Sequence, residues 1–198
     1  KIYSIHLPTG LGKTFASLSF ALKLRNQIEI KNGYKPRIIY SLPFMSIIDQ
    51  NAEVFENVLK KNAIPIDTSI LLKHHHLAES YYSQDESDYK IDDAKILIEG
   101  WNSELIITTF VQVFETLISH RNRSLKKFHR MFGSIIILDE IQAIPIHYWE
   151  LLRQLFIKLA NEFNTYIIFV TATQPMIFKS NEIKSLSNAN YYFSKMDR

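Results

Sequence analysis

The sequence predicts an α/β domain whose mostly parallel sheet is covered by helices on both faces. Short β-branched runs alternate with longer amphipathic stretches along the whole chain. The runs are apolar at consecutive positions, as in "SIIIL" at 134–138, which suits strands buried on both faces. No Pro/Gly/Ser-rich linker, internal repeat or low-complexity tract divides the 198 residues, so residues 1–198 are expected to form one domain.

The elements follow in order. Ile2–His6 reads as a strand. Lys13–Asn32 is a long helix closed by Gly33, since glycine alone enters the left-handed conformation there without cost. Arg37–Leu42 is a strand running into Pro43, and Met45–Leu59 is helical with Ile48, Ala52, Phe55 and Leu59 on one stripe. Thr68–Leu72 is expected as a third strand. The acidic stretch Ser80–Tyr89 has no period and reads as an exposed loop. Leu105–Thr108 is a fourth strand, followed by a helix that turns Val113 and Leu117 inward. Ser124 is expected to cap a short helix that stops at Gly133. "SIIIL" is the next strand, His147–Asn161 a helix, and Thr165–Thr171 the last strand.

Composition narrows the function classes. A hydrophobic fraction of 46% belongs to a folded chain rather than a disordered one. The absence of cysteine removes disulfide scaffolds and thiolate metal sites, and fits a reducing, cytoplasmic compartment. No apolar run approaches the ~20 residues that span a bilayer, so no membrane role is expected. Net charge of +3 does not by itself argue for nucleic acid. The basic run "HRNRSLKKFHR" at 120–130 reads mainly as a solvated helix face, with Leu125, Phe128 and Phe132 pointing inward.

Three stretches carry chemistry. In "LPTGLGKT" a strand ends, the chain turns, and a helix begins at Lys13. Backbone N–H groups at a helix start point outward and favour anions, which suits phosphate. Pro8, Thr9, Gly10, Leu11, Gly12, Lys13 and Thr14 are therefore the candidate phosphate-binding loop. Lys13 would reach the terminal phosphates, and the Thr14 hydroxyl would serve Mg²⁺. The pattern favours Gly or Ala at its first position, where this chain has Leu7.

"IIILDEIQ" supplies the partner carboxylates at the C-terminal end of a strand, the edge where open parallel sheets bind ligands. Asp139 is the candidate second Mg²⁺ residue, acting through water, and Glu140 the base that orients and deprotonates the attacking water. A glycosidase pair is disfavoured, because adjacent residues on an extended chain point to opposite sides. In "FVTATQP", the Thr171 and Thr173 hydroxyls could bridge the Asp139–Gln142 segment to whatever binds next. "KHHHLAES" invites a metal reading, but three consecutive imidazoles cannot readily converge on one ion. His74, His75 and His76 are expected on the surface or facing nucleic acid.

Taken in this order, the motifs resemble the first RecA-like motor domain of superfamily-two helicases. "SLPFMSIIDQ" looks like motif Ia and "ITTFVQVFETL" like motif Ib. The wording of "TTFVQVFETL", "DEIQ" and "TATQP" is most similar to the CRISPR-associated helicase–nucleases of type I interference systems. The resemblance implies a P-loop NTPase lobe that uses ATP and Mg²⁺ to act on single-stranded DNA, with Lys13, Asp139, Glu140 and Gln142 as the catalytic set. It implies strand contacts around Pro43–Phe44 and Thr108–Thr109, sequence-independent and weakened by salt. It implies coupling of the two sites through Gln142, Thr171 and Thr173; many relatives carry His where this chain has Gln142. The expected partners are a second motor lobe and a nuclease domain of the same protein, neither expected within residues 1–198, and a CRISPR surveillance complex. Competing readings are another DNA or RNA helicase lobe, a switch-type or transporter NTPase without DNA stimulation, and a non-enzymatic nucleotide-binding or docking module.

Overall fold

The computed structural model describes residues 1–8, 10–74, 100–172 and 177–186. Among the described residues, seven parallel strands form one sheet in the order β3-β4-β2-β5-β6-β1-β7. They are β1 Ile2–His6, β2 Ile38–Leu42, β3 Leu71–His74, β4 Leu105–Thr109, β5 Ile135–Asp139, β6 Tyr166–Thr171 and β7 Lys184–Ser185. The described helices are α1 Lys13–Asn32, α2 Ile48–Lys61, α3 Phe110–Ile118, α4 Asn122–Phe128 and α5 Trp149–Glu162.

Alternation along each strand sorts the side chains into two cores. Ile135 and Ile137 of β5 face Ile38, Tyr40, Ile168 and Val170, and this layer is closed by Leu18 and Ala21 of α1 with Ala52 and Phe55 of α2. Ile136 and Leu138 face the opposite way, against Val113 of α3 and Phe156 and Leu159 of α5. β2, β4 and β5 are buried at every position, in keeping with their largely apolar runs. Ile48, Ala52, Phe55 and Leu59 are all buried on one stripe of α2, as the sequence predicts. Gly33 closes α1 at φ 73°, its N–H donating to Glu29 O at 2.9 Å.

Some expectations are corrected. The third strand begins at Leu71, not Thr68, because Asp67 Oδ1 takes the amides of Ser69 and Ile70 in a local turn. It runs on to His74, which is fully buried rather than at the surface. Ser124 is not a cap: α4 starts at Asn122, and the Ser124 N–H already donates to Arg121 O at 2.9 Å. The stripe Leu125–Phe128–Phe132 does not hold either. α4 passes into a 3₁₀ turn over His129–Met131, so the helical spacing lapses before Phe132. Leu125 is exposed, while Phe128 and Phe132 gather with Phe163.

Lys127 departs furthest from the solvated-face reading, being only 3% exposed. Its Nζ donates to Gln112 Oε1 at 3.0 Å, lies 3.1 Å from His74 Nε2 and sits over the Trp101 ring. Two-residue β7 was not anticipated; both its residues are exposed and carry no apolar signal. The expected loop Ser80–Tyr89, with His75 and His76, lies outside the described residues.

Candidate functional site

The C-terminal ends of β1, β5, β6 and β2 meet at one edge of the sheet, and the candidate residues gather there. Leu7 extends β1 by one bond, its N–H donating to Thr171 O at 3.3 Å, and its side chain packs partly buried against the α1–α2 core. Packing thus accounts for a leucine where the loop pattern favours a smaller residue. The chain then turns through Gly10 at φ 84° and Gly12 at φ 72°. A Cβ built at either glycine would meet nothing within 4 Å, so backbone conformation, not crowding within the chain, calls for glycine. Thr9 lies outside the described residues.

α1 opens directly on this turn with no side-chain cap and no acidic residue in its first turn. Its first amides and the positive end of its dipole are left to an external acceptor. Lys13 Nζ pairs with Glu140 Oε1, and the Lys13 side chain is 10% exposed. The Thr14 hydroxyl donates to Asn51 Oδ1 at 2.8 Å.

Asp139 ends β5 at 5% exposure. Its Oδ2 accepts from the Tyr40 hydroxyl at 2.6 Å, whereas its buried Oδ1 has no hydrogen-bond partner. Burial pushes its carboxyl above the usual range; the Tyr40 hydrogen bond opposes that shift, and the Glu140 charge adds to it. An orphaned carboxylate oxygen at the end of β5, with a threonine hydroxyl at the start of α1 whose proton is already committed, is a donor set suited to a hard divalent cation. Thr14 and Asp139 therefore fit Mg²⁺.

Glu140 occupies the left-handed region at φ 58°, an uncommon setting for a residue with a side chain. Its amide donates to Val170 O at 2.8 Å, which locks the turn onto β6. Both carboxylate oxygens are engaged, Oε1 by Lys13 and Oε2 by the Gln142 amide. Gln142, on the 3₁₀ turn Ile141–Ala143, accepts from the Thr171 hydroxyl at 2.6 Å. A continuous chain thus runs Lys13–Glu140–Gln142–Thr171. Thr173 lies outside the described residues.

The remaining candidates sit on the neighbouring strand ends. Pro43 and Phe44 follow β2, and the Phe44 ring is 62% exposed. Thr109 pairs with Leu42 across β4 and β2. Thr108 and Thr109 are both buried, with Thr109 Oγ1 capping α3 by accepting from the Gln112 amide. Among the described residues no group of three or more His, Asp or Glu side chains forms a metal cluster.

Two participants escape the sequence motifs, Tyr40 and Asn51. A tyrosine inside the fully buried strand "IIYSL" was the available signal, because a buried phenol needs a partner for its hydroxyl.

The DEAD/DEAH box helicase family matches residues 2–180. The chain belongs to that family. This helicase domain is 37% identical over 192 residues to the CRISPR-associated nuclease/helicase Cas3 of Haloferax volcanii. That match covers 93% of this chain and 20% of the relative, so the chain spans about one-fifth of the curated protein it matches. Its fold is shared with T. fusca Cas3 bound to ADP, at a TM-score of 0.64 and 20% identity over 86% of this chain and 18% of that one. It is shared also with the DUF1998 helicase MrfA bound to DNA and AMPPNP, at a TM-score of 0.58 and 15% identity over 95% of this chain and 25% of that one. The helicase domain thus has the RecA-like architecture, a parallel sheet with helices on both faces.

Proposed function

We propose that residues 1–198 are the ATP-binding lobe of an ATP-dependent single-stranded-DNA translocase that acts in CRISPR interference. The observation that carries this reading is the chain Lys13–Glu140–Gln142–Thr171, which joins the glycine turn to the ends of β5 and β6. Likeness to the Haloferax volcanii Cas3 supports the CRISPR setting. The second motor lobe and nuclease domain of the same protein, and a CRISPR surveillance complex, are the proposed partners. The proposed setting is the cytoplasm; among the described residues no helix is long and apolar enough to cross a membrane.

ATP phosphates would lie on the Gly10–Thr14 turn, met by the first amides of α1 and by Lys13. Bound Mg²⁺, held by Thr14 and by Asp139 through water, would supply charge neutralisation between the phosphates. Drawing Lys13 onto a phosphate removes it from Glu140 Oε1, and the freed oxygen can take the proton of the attacking water. Glu140 stays oriented because Gln142 holds its other oxygen. The same amide holds Thr171, so a shift at either end of the chain is felt at the other.

A strand of DNA would pass across the β2 and β4 ends. The exposed Phe44 ring offers a face to a base or sugar. The buried Thr108 and Thr109 act through the backbone they fix and the start of α3. Binding of single-stranded DNA, measured over a salt series, is expected to be insensitive to sequence and to weaken steeply with salt. Phe44→Ala should weaken it by about tenfold, in line with ~1–3 kcal/mol per stacked base. Unchanged affinity in that variant would remove the β2 end from the DNA path.

A further inference from the structure

Two side chains that flank "SLPFMSIIDQ" reach into the nucleotide site from the same side. Tyr40 lies immediately before this segment on β2, and Asn51 immediately after it on α2. Tyr40 is fully buried, and phenylalanine would fill nearly the same volume, so packing alone does not ask for its hydroxyl. That hydroxyl donates to Asp139 Oδ2 at 2.6 Å, 99 residues away in sequence.

Asn51 works on the other candidate ligand. Its Nδ2 donates to Ile47 O at 2.8 Å, which fixes the amide plane and turns Oδ1 toward Thr14. Oδ1 then takes the Thr14 proton at 2.8 Å, leaving the lone pairs of Thr14 Oγ1 for a cation. Tyr40 likewise commits Oδ2 of Asp139 and leaves Oδ1 as the oxygen without a partner. The neighbouring buried residues Ile48 and Ala52 anchor α2 against the core, so both contacts are held by a rigid element.

We propose that Tyr40 and Asn51 are positioning residues that together set the cation-facing oxygens of Asp139 and Thr14. This rests on the reading of the site as one for Mg²⁺ and ATP. It assigns the β2–α2 unit a part in the nucleotide site as well as in the proposed DNA path.

The test is binding of a fluorescent ATP analogue to the full chain, followed by anisotropy with Mg²⁺ and again with EDTA. The parent is expected to bind more tightly with Mg²⁺. Tyr40→Phe and Asn51→Ala should each cut that Mg²⁺-dependent gain by about five- to tenfold, as expected for a lost hydrogen bond to a charged or ligating group. Binding in EDTA should stay within about twofold of the parent, because the phosphate-facing amides and Lys13 are untouched. A gain equal to the parent's, or an equal loss in both buffers, would overturn the positioning role. Thermal melting checks the fold, and Asn51→Ala at a half-buried site carries the same readout if Tyr40→Phe unfolds. Lys13→Ala separates the underlying reading: if the parent shows no Mg²⁺ gain and Lys13→Ala binds as it does, the nucleotide site itself is wrong.

Discussion

Lys13→Ala is expected to lower ATP turnover by about 10²–10³-fold, the usual cost of removing one preorganised group aimed at developing charge. Lys13 is the only charged side chain on the glycine turn, and it is largely withdrawn from solvent. Its methylenes lie at the start of α1, where the helix dipole already favours anions, so the ammonium adds to a field in place. The substitution also strands Glu140 Oε1, which Lys13 engages. Nucleotide affinity should fall along with turnover, because the lysine acts on bound phosphate and on the transition state alike. Steady-state turnover of the full-length protein, followed by phosphate release, gives the first quantity, and titration with a fluorescent analogue gives the second. Parent-like turnover would remove the phosphate role from residues 8–14.

Glu140→Gln is expected to separate binding from hydrolysis. The amide keeps the size of the carboxylate and its one oxygen can still accept a hydrogen bond, although no longer from both Lys13 and Gln142, so ATP affinity should remain within a few-fold of the parent. Proton acceptance is lost, and turnover should fall by about 10²–10⁴-fold. The left-handed backbone at Glu140 makes the position sensitive to bulk but not to this isosteric change. Pre-steady-state binding and single-turnover hydrolysis, measured side by side, distinguish the two effects. Equal losses in both would mean that Glu140 shapes the pocket rather than taking the proton.

The sheet was legible because its strands are short, apolar on both faces and separated by helices, a pattern that local chemistry fixes. Where a local turn competed, boundaries slipped: Asp67 captured the amides that Thr68–Leu72 would have given to a strand. The 3₁₀ turn after α4 broke the spacing that would have carried the stripe on to Phe132, which is exposed, as Leu125 is. Lys127 misled for a different reason. Lysine in a basic run is usually solvated, and its burial depends on His74, Gln112 and Trp101 from elsewhere in the chain. The glycine turn and "DEIQ" announced themselves as contiguous words, whereas Tyr40 and Asn51 act on Asp139 and Thr14 across 99 and 37 residues. No spacing within one segment encodes such contacts; only the strand order β2-β5 brings Tyr40 beside Asp139.

As proposed, this lobe converts ATP hydrolysis into work on a DNA strand. Turnover of ATP by the full-length protein, measured with and without saturating single-stranded DNA at one salt concentration, tests it most directly. A clear increase with DNA is expected, one that Phe44→Ala diminishes and Glu140→Gln abolishes. Turnover indifferent to DNA would contradict it and would instead mark a switch-type or transporter NTPase built on the same turn.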